Sequence, residues 1–403
     1  MKTPLIQFEN VHKKFGNNPV LTGVNLNIYK NEICTIIGKS GGGKSVLLKH
    51  IIGLLEPDSG RILFEGKPLS KMRKAEKTAI KQKSSYMFQG TALFDSITVF
   101  DNVALPLKER TAMRESQIRK RVVSTLSQLD LAMIENNYPS QLSGGMKKRV
   151  ALARALVTDP EIVLFDEPTT GLDPIRKNAV HSMIADYQKR FGFTGVVVSH
   201  EIPDIFYISQ RIAMLDNGQI LFEGSPEDIQ TTSNPSVMEF IRGLESGHDD
   251  MTGLAEIPMG KNRFIEEMSK MHRYDQIFSI IVFKVENIDE INVKSNHITG
   301  QTAIKNFTDE LKRNLRSSDI CFRYSMDKIM TLLPHTHMHQ AQLACEKLRR
   351  QMKMANILKI QPYPGFCFTV SASFAEAQKN SRIEQVIAQA QEQKNILCEF
   401  RVC

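Results

Sequence analysis

The residues most able to do chemistry begin at 38–45, where GKSGGGKS fits GxxxxGK[ST] between the strand-like EICTII and the helix-like VLLKHIIGLL. Glycine lets backbone approach a ligand closely, and a helix N-terminus favours negative charge. The N–H groups of Gly41, Gly42, Gly43, Lys44 and Ser45 can therefore point at phosphate oxygens, within a loop opened by Gly38 and Ser40. Lys44 would neutralise the β- and γ-phosphates, and the Ser45 hydroxyl would ligate Mg²⁺. The alternative is a glycine-rich turn with an exposed lysine.

Further motifs follow in order. IVLFDE at 162–167 is an apolar run ending in two carboxylates, as expected of a buried parallel strand whose C-terminal edge meets a nucleotide. There the acids divide the labour: Asp166 would hold Mg²⁺, and Glu167 would polarise the attacking water as general base. Upstream, LSGGM at 142–146 places Ser143, Gly144 and Gly145 before a long helical pattern, a second helix N-terminus suited to phosphate. VVVSH puts His200 at the tip of another apolar strand, and MFQG contains Gln89. Taken singly, neither His200 nor Gln89 would mean anything.

These motifs need a sheet with helices on it. Residues 1 to about 245 alternate short apolar runs with longer amphipathic segments, the pattern of an α/β layer. The chain has 403 residues, 41% hydrophobic and 24% charged, enough for two or three cores. No apolar run reaches the roughly 18 residues needed to span a bilayer, and the N-terminus lacks a secretion-signal core. A cytoplasmic location is expected. The six cysteines show no CxxC pairing and are read as reduced thiols. Of the net charge of +8, much sits in 67–83, where seven Lys or Arg accompany one Glu. Such a run is either a solvated helix face or a surface for anionic partners.

Together the segments resemble the ATP-binding cassette ATPases, a P-loop fold with a helical subdomain, over residues 1–245. The resemblance implies ATP and Mg²⁺ as cofactors. It makes Phe15 the aromatic that stacks on adenine, and Gln89 the loop glutamine that reaches Mg²⁺ and couples to a membrane subunit. Ser143, Gly144 and Gly145 become the family signature, Asp173 the loop that communicates between subunits, and His200 the switch that contacts the γ-phosphate. In that family two copies bind ATP head to tail, so a homodimer is implied. Met146 stands where the family usually has Gln, and Lys39 where it often has Pro. Neither change removes a phosphate or metal ligand.

MFQGTALFDSITVFDNVALPLKE at 87–109, GLDPI at 171–175 and VVVSHEIPDIF at 196–206 narrow this to a resemblance to the ATPases of Mla-type phospholipid transporters. Those work with a multispanning permease and an MCE-type lipid-binding protein in a Gram-negative envelope, the ATPase sitting on the inner membrane through the permease. The rivals are an ATPase of an amino-acid or methionine importer and a non-transport cassette protein of DNA repair or the ribosome. Coiled-coil insertions or tandem cassettes would favour the latter, and the sequence has neither.

An acidic, glycine-containing joint at 246–253 reads as a linker, and 254–403 as a second α/β domain. Helical pattern covers 262–274 and 302–315, a strand 278–285 and a hairpin 320–333. DDMTGL at 249–254, IVFKVENIDEIN at 281–292, NHITGQ at 296–301 and RYSMDKIMTLLP at 323–334 resemble, in that order, the motifs of the GGDEF diguanylate cyclases. The catalytic residues are poorly kept. Ser325 and Met326 replace two glycines, Lys284 stands where an Asp should bind metal, and Lys328 replaces one acid beside the retained Asp327. A two-metal phosphoryl transfer cannot run on one ligand beside an ammonium, so a non-catalytic, regulatory or dimerising domain is expected. Arg316 and Asp319 match the spacing of that family's inhibitory site for cyclic di-GMP. Their other reading is an i,i+3 ion pair near a helix end.

Overall fold

A computed structural model describes residues 3–39, 41–87, 92–129, 131–200, 202, 204–244, 248–355, 368–392 and 398–402. The chain divides into two compact units, Met1–Leu244 and Glu245–Cys403.

In the first unit the all-apolar runs become interior strands. Every residue of Ile33–Ile37 is buried, and this strand lies parallel to Thr194–Ser199 on one side and Arg211–Asp216 on the other. Ile162–Asp166 lies parallel to Thr194–Ser199, Ser84–Met87 pairs with it, and antiparallel Gln219–Gly224 completes a six-stranded sheet. The parallel strands all end on one edge, so the loop after Ile37, the acids after Phe165 and the histidine after Ser199 share that edge. A second sheet of Asn18–Ile28, Ile6–Phe15, Ser59–Phe64 and Lys67–Pro68 packs through Phe8, Val24, Leu26 and Ile62 into the same core. The helices Val99–Arg110, Glu115–Gln128 and Gly144–Leu156 form the helical part.

The basic run folds as a short strand, Lys67–Pro68, a 3-10 turn, Leu69–Lys71, and the helix Lys74–Gln82, in which Ile80 alone is buried. Lys67 and the Arg73 backbone both bind Glu76, which holds that carboxyl down to about 2. A solvated face with local partners results.

The second unit is a five-stranded sheet in the order Ile320–Arg323, Lys328–Pro334, Phe278–Val285, Phe368–Glu376, Cys398–Val402, antiparallel throughout. Alternation splits the central strand. Phe278, Ile280 and Val282 pack on Phe264, Met268 and Ile387 of the helices Ile257–Tyr274 and Ile383–Glu392. Phe283 faces the other way, edge-on to Phe307 at 5.5 Å between centroids.

The stretch 246–253, expected as a linker, is partly built into this unit. Asp249 is fully buried, its Oδ1 accepting from the Thr252 N–H and hydroxyl, both at 2.6 Å. Its Oδ2 lies 3.1 Å from the guanidinium of Arg323, itself 0% exposed. Acidic composition suggests solvent, but a local turn and one buried cation make Asp249 a core residue. The hairpin expected over 320–333 forms, and RYSMDKIMTLLP turns over in its first half, with the Tyr324 N–H donating to the Lys328 carbonyl at 2.9 Å.

Candidate functional site

The helix Lys44–Ile51 begins at Gly43, φ 98°, after Gly41, φ 77°. A Cβ at Gly43 would lie 3.0 Å from Val20, and one at Gly41 would meet nothing within 4 Å, leaving space open above the loop. The first turn of the helix holds no acid. Lys44 is 4% exposed, and its ammonium donates to the carbonyls of Gly38 and Lys39, each at 2.9 Å. Burial lowers its pKa, partly opposed by Glu167 and Asp166. The loop thus keeps a buried cation beside an acid-free helix N-terminus, which suits a polyphosphate.

Asp166 is gripped at both oxygens. Ser45 Oγ donates to Oδ1 at 2.8 Å and the Tyr86 hydroxyl to Oδ2 at 2.6 Å. Burial, and then this bond to Asp166, push the tyrosine pKa up, so the hydroxyl stays a donor. A hydroxyl and a carboxylate are hard oxygen donors, fit to hold Mg²⁺ together with phosphate oxygens. Glu167 has φ 48°, a left-handed conformation unusual outside glycine, and its N–H donates to the Val198 carbonyl at 3.0 Å. Its Oε1 faces His200 Nδ1 at 3.3 Å and Lys44 Nζ at 3.9 Å, while Thr170 Oγ1 donates to Oε2 at 3.0 Å. Lys44, Ser45, Asp166, Glu167 and His200 therefore form one connected cluster.

The other expected residues that the structure describes stand on other elements. Phe15 is 48% exposed at a strand end, with Lys13 Nζ 5.8 Å from its ring. Ser143 caps the helix Gly144–Leu156 by accepting from Met146 N at 3.3 Å; it and Gly144 are exposed, and a Cβ at Gly144 would meet nothing. Gly145 lies in the first turn of that helix. Asp173 caps Pro174–Phe191, accepting from Arg176 N at 3.1 Å. Ser40 and Gln89 lie outside the described residues. Sequence reasoning missed Tyr86 and Thr170. Each follows or precedes a motif by a few positions, and a hydroxyl of this kind becomes visible only through strand pairing, here Tyr86 beside Leu164.

In the second unit Lys284 and Lys328 are direct cross-strand partners. Lys284 Nζ donates to Glu286 Oε2 at 2.7 Å, a bond that raises the lysine pKa. Ser325 Oγ donates to Asp327 Oδ1 at 2.7 Å, and Arg323 reaches Met326 Sδ at 3.7 Å. Neither Ser325 nor Met326 has a positive φ. At the other candidate pair, Asp319 Oδ2 accepts from the Arg316 N–H at 2.9 Å, and no ion pair to the Arg316 guanidinium forms among the described residues.

Residues 21–170 match the ABC transporter family, and residues 246–395 match the diguanylate cyclase, GGDEF domain family. The intermembrane phospholipid transport system ATP-binding protein MlaF of Haemophilus influenzae is 36% identical over 247 residues, covering 61% of this chain and 94% of that one. The chloroplastic protein TRIGALACTOSYLDIACYLGLYCEROL 3 of Arabidopsis thaliana is 39% identical over 259 residues, covering 60% of this chain and 75% of that one. Among solved structures, cbiO1 from Clostridium perfringens, part of the ABC transporter complex cbiONQ, matches with a TM-score of 0.53 at 28% identity, over 60% of this chain and 96% of that one. The chain belongs to the ABC transporter family, whose ATPases bind and hydrolyse ATP. Within it, this is an ATPase subunit related to MlaF, extended by a GGDEF domain. Among the described residues no helix is long and apolar enough to cross a membrane.

Proposed function

We propose that this chain powers phospholipid movement across a Gram-negative envelope, as a homodimer on the cytoplasmic face of the inner membrane, bound to a permease and served by an MCE-type partner. The observation that carries the chemical part is the cluster at the sheet edge. Glu167, aimed by Thr170 and strained at its backbone, serves as general base; His200 beside it senses the γ-phosphate; Lys44 neutralises phosphate. Ser45 and Asp166, joined by Gln89, hold Mg²⁺, which supplies charge neutralisation at the phosphates when bound. Phe15 stacks on adenine. The exposed Ser143 and Gly144, with Gly145, close over the other copy's nucleotide, and Asp173 communicates between copies.

A groove supports the permease. Leu54 and Phe94 are 61% and 53% exposed and line a cavity of about 420 Å³ with Leu105, Pro106, Arg110 and Arg154. Exposed apolar surface rimmed by charge fits a docking helix of a membrane partner. Tyr86 and Ala92 also line it, flanking the segment that holds Gln89. The second unit is proposed to be silent as a cyclase and to regulate or dimerise the cassette. Purifying the chain with its membrane partners tests the reading: a permease, an MCE-type protein and phospholipid should come with it. An amino-acid-binding partner in their place would turn the assignment to an importer.

A further inference from the structure

The second unit contains a cavity of about 430 Å³ on the sheet face opposite the helices Ile257–Tyr274 and Ile383–Glu392. Its floor is Ile281, Phe283, Leu311, Leu333 and Leu348, all at most 5% exposed. Its size lies in the range of about 300–1,000 Å³ usual for small-molecule sites.

Most of its polar atoms have partners of their own. Thr331 donates to Cys321 Sγ, Thr336 to the Pro334 carbonyl, Asn314 to Glu310, and Gln340 accepts from the His337 N–H. Asp319, on which recognition of a guanine edge would depend, already accepts from the Arg316 N–H and from Ser318 Oγ. Four side chains lack such bonds among the described residues. Arg316, His335 and Lys347 are exposed at the rim, and the Oε1 of Gln351 is buried without a partner. His335 also holds φ 52°, a strained backbone at the mouth. An apolar floor under a rim that sets Arg316, Lys347 and His335 against the one lining carboxylate, Asp319, is complementary to an amphipathic anion.

We propose that this cavity binds an acyl anion, its chain on the Ile281–Phe283–Leu333 floor and its carboxylate or phosphate on Arg316, with Lys347 adding positive potential and the His335 imidazole offering a hydrogen bond at the mouth. A free fatty acid and a single-chain phospholipid share that chemistry. The site is independent of the ATP cluster.

The experiment titrates the full-length chain calorimetrically with dodecanoate, lauroyl lysophosphatidate, dodecanol and cyclic di-GMP. Saturable one-to-one binding of either anion, weakened at least tenfold in Arg316→Ala, is expected, and whichever binds identifies the source. Because the chain contains no tryptophan, Leu343→Trp at the mouth gives a second readout, a blue-shifted emission with the same titration midpoint. Dodecanol binding as tightly, unchanged affinity in Arg316→Ala, or no heat and no emission shift at about 1 mM anion would each overturn the site. Cyclic di-GMP binding that requires Arg316, with neither acyl anion binding, would overturn it in favour of a nucleotide sensor.

Discussion

At Asp166 two hydroxyls converge on one carboxylate, whereas at Lys284 an ammonium is already bound to the carboxylate of Glu286. Both groups lie at the end of a central strand. In the first unit Asp166 is held by neutral hydroxyls, so its charge remains available to a cation. In the second, lysines opposite one another in register bring positive charge to the corresponding place, and Asp327 accepts from Ser325. The contrast separates a carboxylate held only by neutral hydroxyls from one absorbed into a network that carries an ammonium. What matters is the sign of the neighbour and whether it is free to be exchanged, rather than the presence of an acid in a motif.

The sharpest way to break this comparison is at the proposed base. Glu167→Gln keeps the size and the Thr170 contact but cannot take a proton, so kcat should fall by on the order of 10²–10⁴ while ATP binding persists. Normal turnover, measured by phosphate release, would remove Glu167 from the chemistry.

The second unit should be most sensitive at its buried ion pair. Arg323→Met leaves Asp249 charged and unmatched, with an expected loss of about 3–5 kcal/mol, read as a lower melting transition for that unit. Arg323→Met with Asp249→Leu should recover part of the loss. Burial alone would raise the Asp249 pKa, but Arg323 and the Thr252 bonds outweigh it and hold it below the usual carboxylate range. A carboxyl with a depressed folded pKa stabilises above its unfolded value, about 3.9, and that contribution is lost as pH falls from there through the folded value. The urea midpoint of the second unit should therefore hold its Asp249 contribution at pH 5–7 and lose it below about pH 4. Asp249→Asn should lack that acid step.

A smaller effect is expected at Tyr86. Removing a hydrogen bond to a charged group typically costs about 1.5–3 kcal/mol, so Tyr86→Phe should weaken Mn²⁺ binding to the ATP-loaded Glu167→Gln chain by on the order of tenfold. Paramagnetic resonance of bound Mn²⁺ reads this without turnover. Unchanged affinity would mean that Ser45 alone orients Asp166.

Much of the ATP site is legible in the residues themselves. A run such as IVLF at 162–165, with no polar interruption, reads as a strand buried on both faces, and GKSGGGKS between strand and helix marks where a phosphate is expected. The family resemblance adds the residues that act across a dimer. Tyr86 and Thr170 stay hidden because a hydroxyl carries no pattern until strand register or a tight turn brings it to a partner. Asp249 is misplaced for the opposite reason: an acid beside Gly and Asp reads as solvated, and its buried arginine lies 74 residues away in sequence.

The finest test of the comparison concerns charge against shape in the second unit. If the silence proposed for the cyclase-like hairpin rests on sign alone, Lys284→Asp with Lys328→Glu should give Mg²⁺-dependent GTP condensation. The structure argues otherwise. Ser325 and Met326 put side chains where the family has glycines, Ser325 binds Asp327, and Met326 packs against the guanidinium of Arg323. Restored acids would therefore meet a turn that still crowds the nucleotide. The double variant should bind Mn²⁺ slightly better than the parent and yield no dinucleotide product. Adding Ser325→Gly and Met326→Gly should then bring measurable GTP binding. Product from the double variant would show that two ammonium groups alone had kept the site silent, and that its shape had been intact throughout.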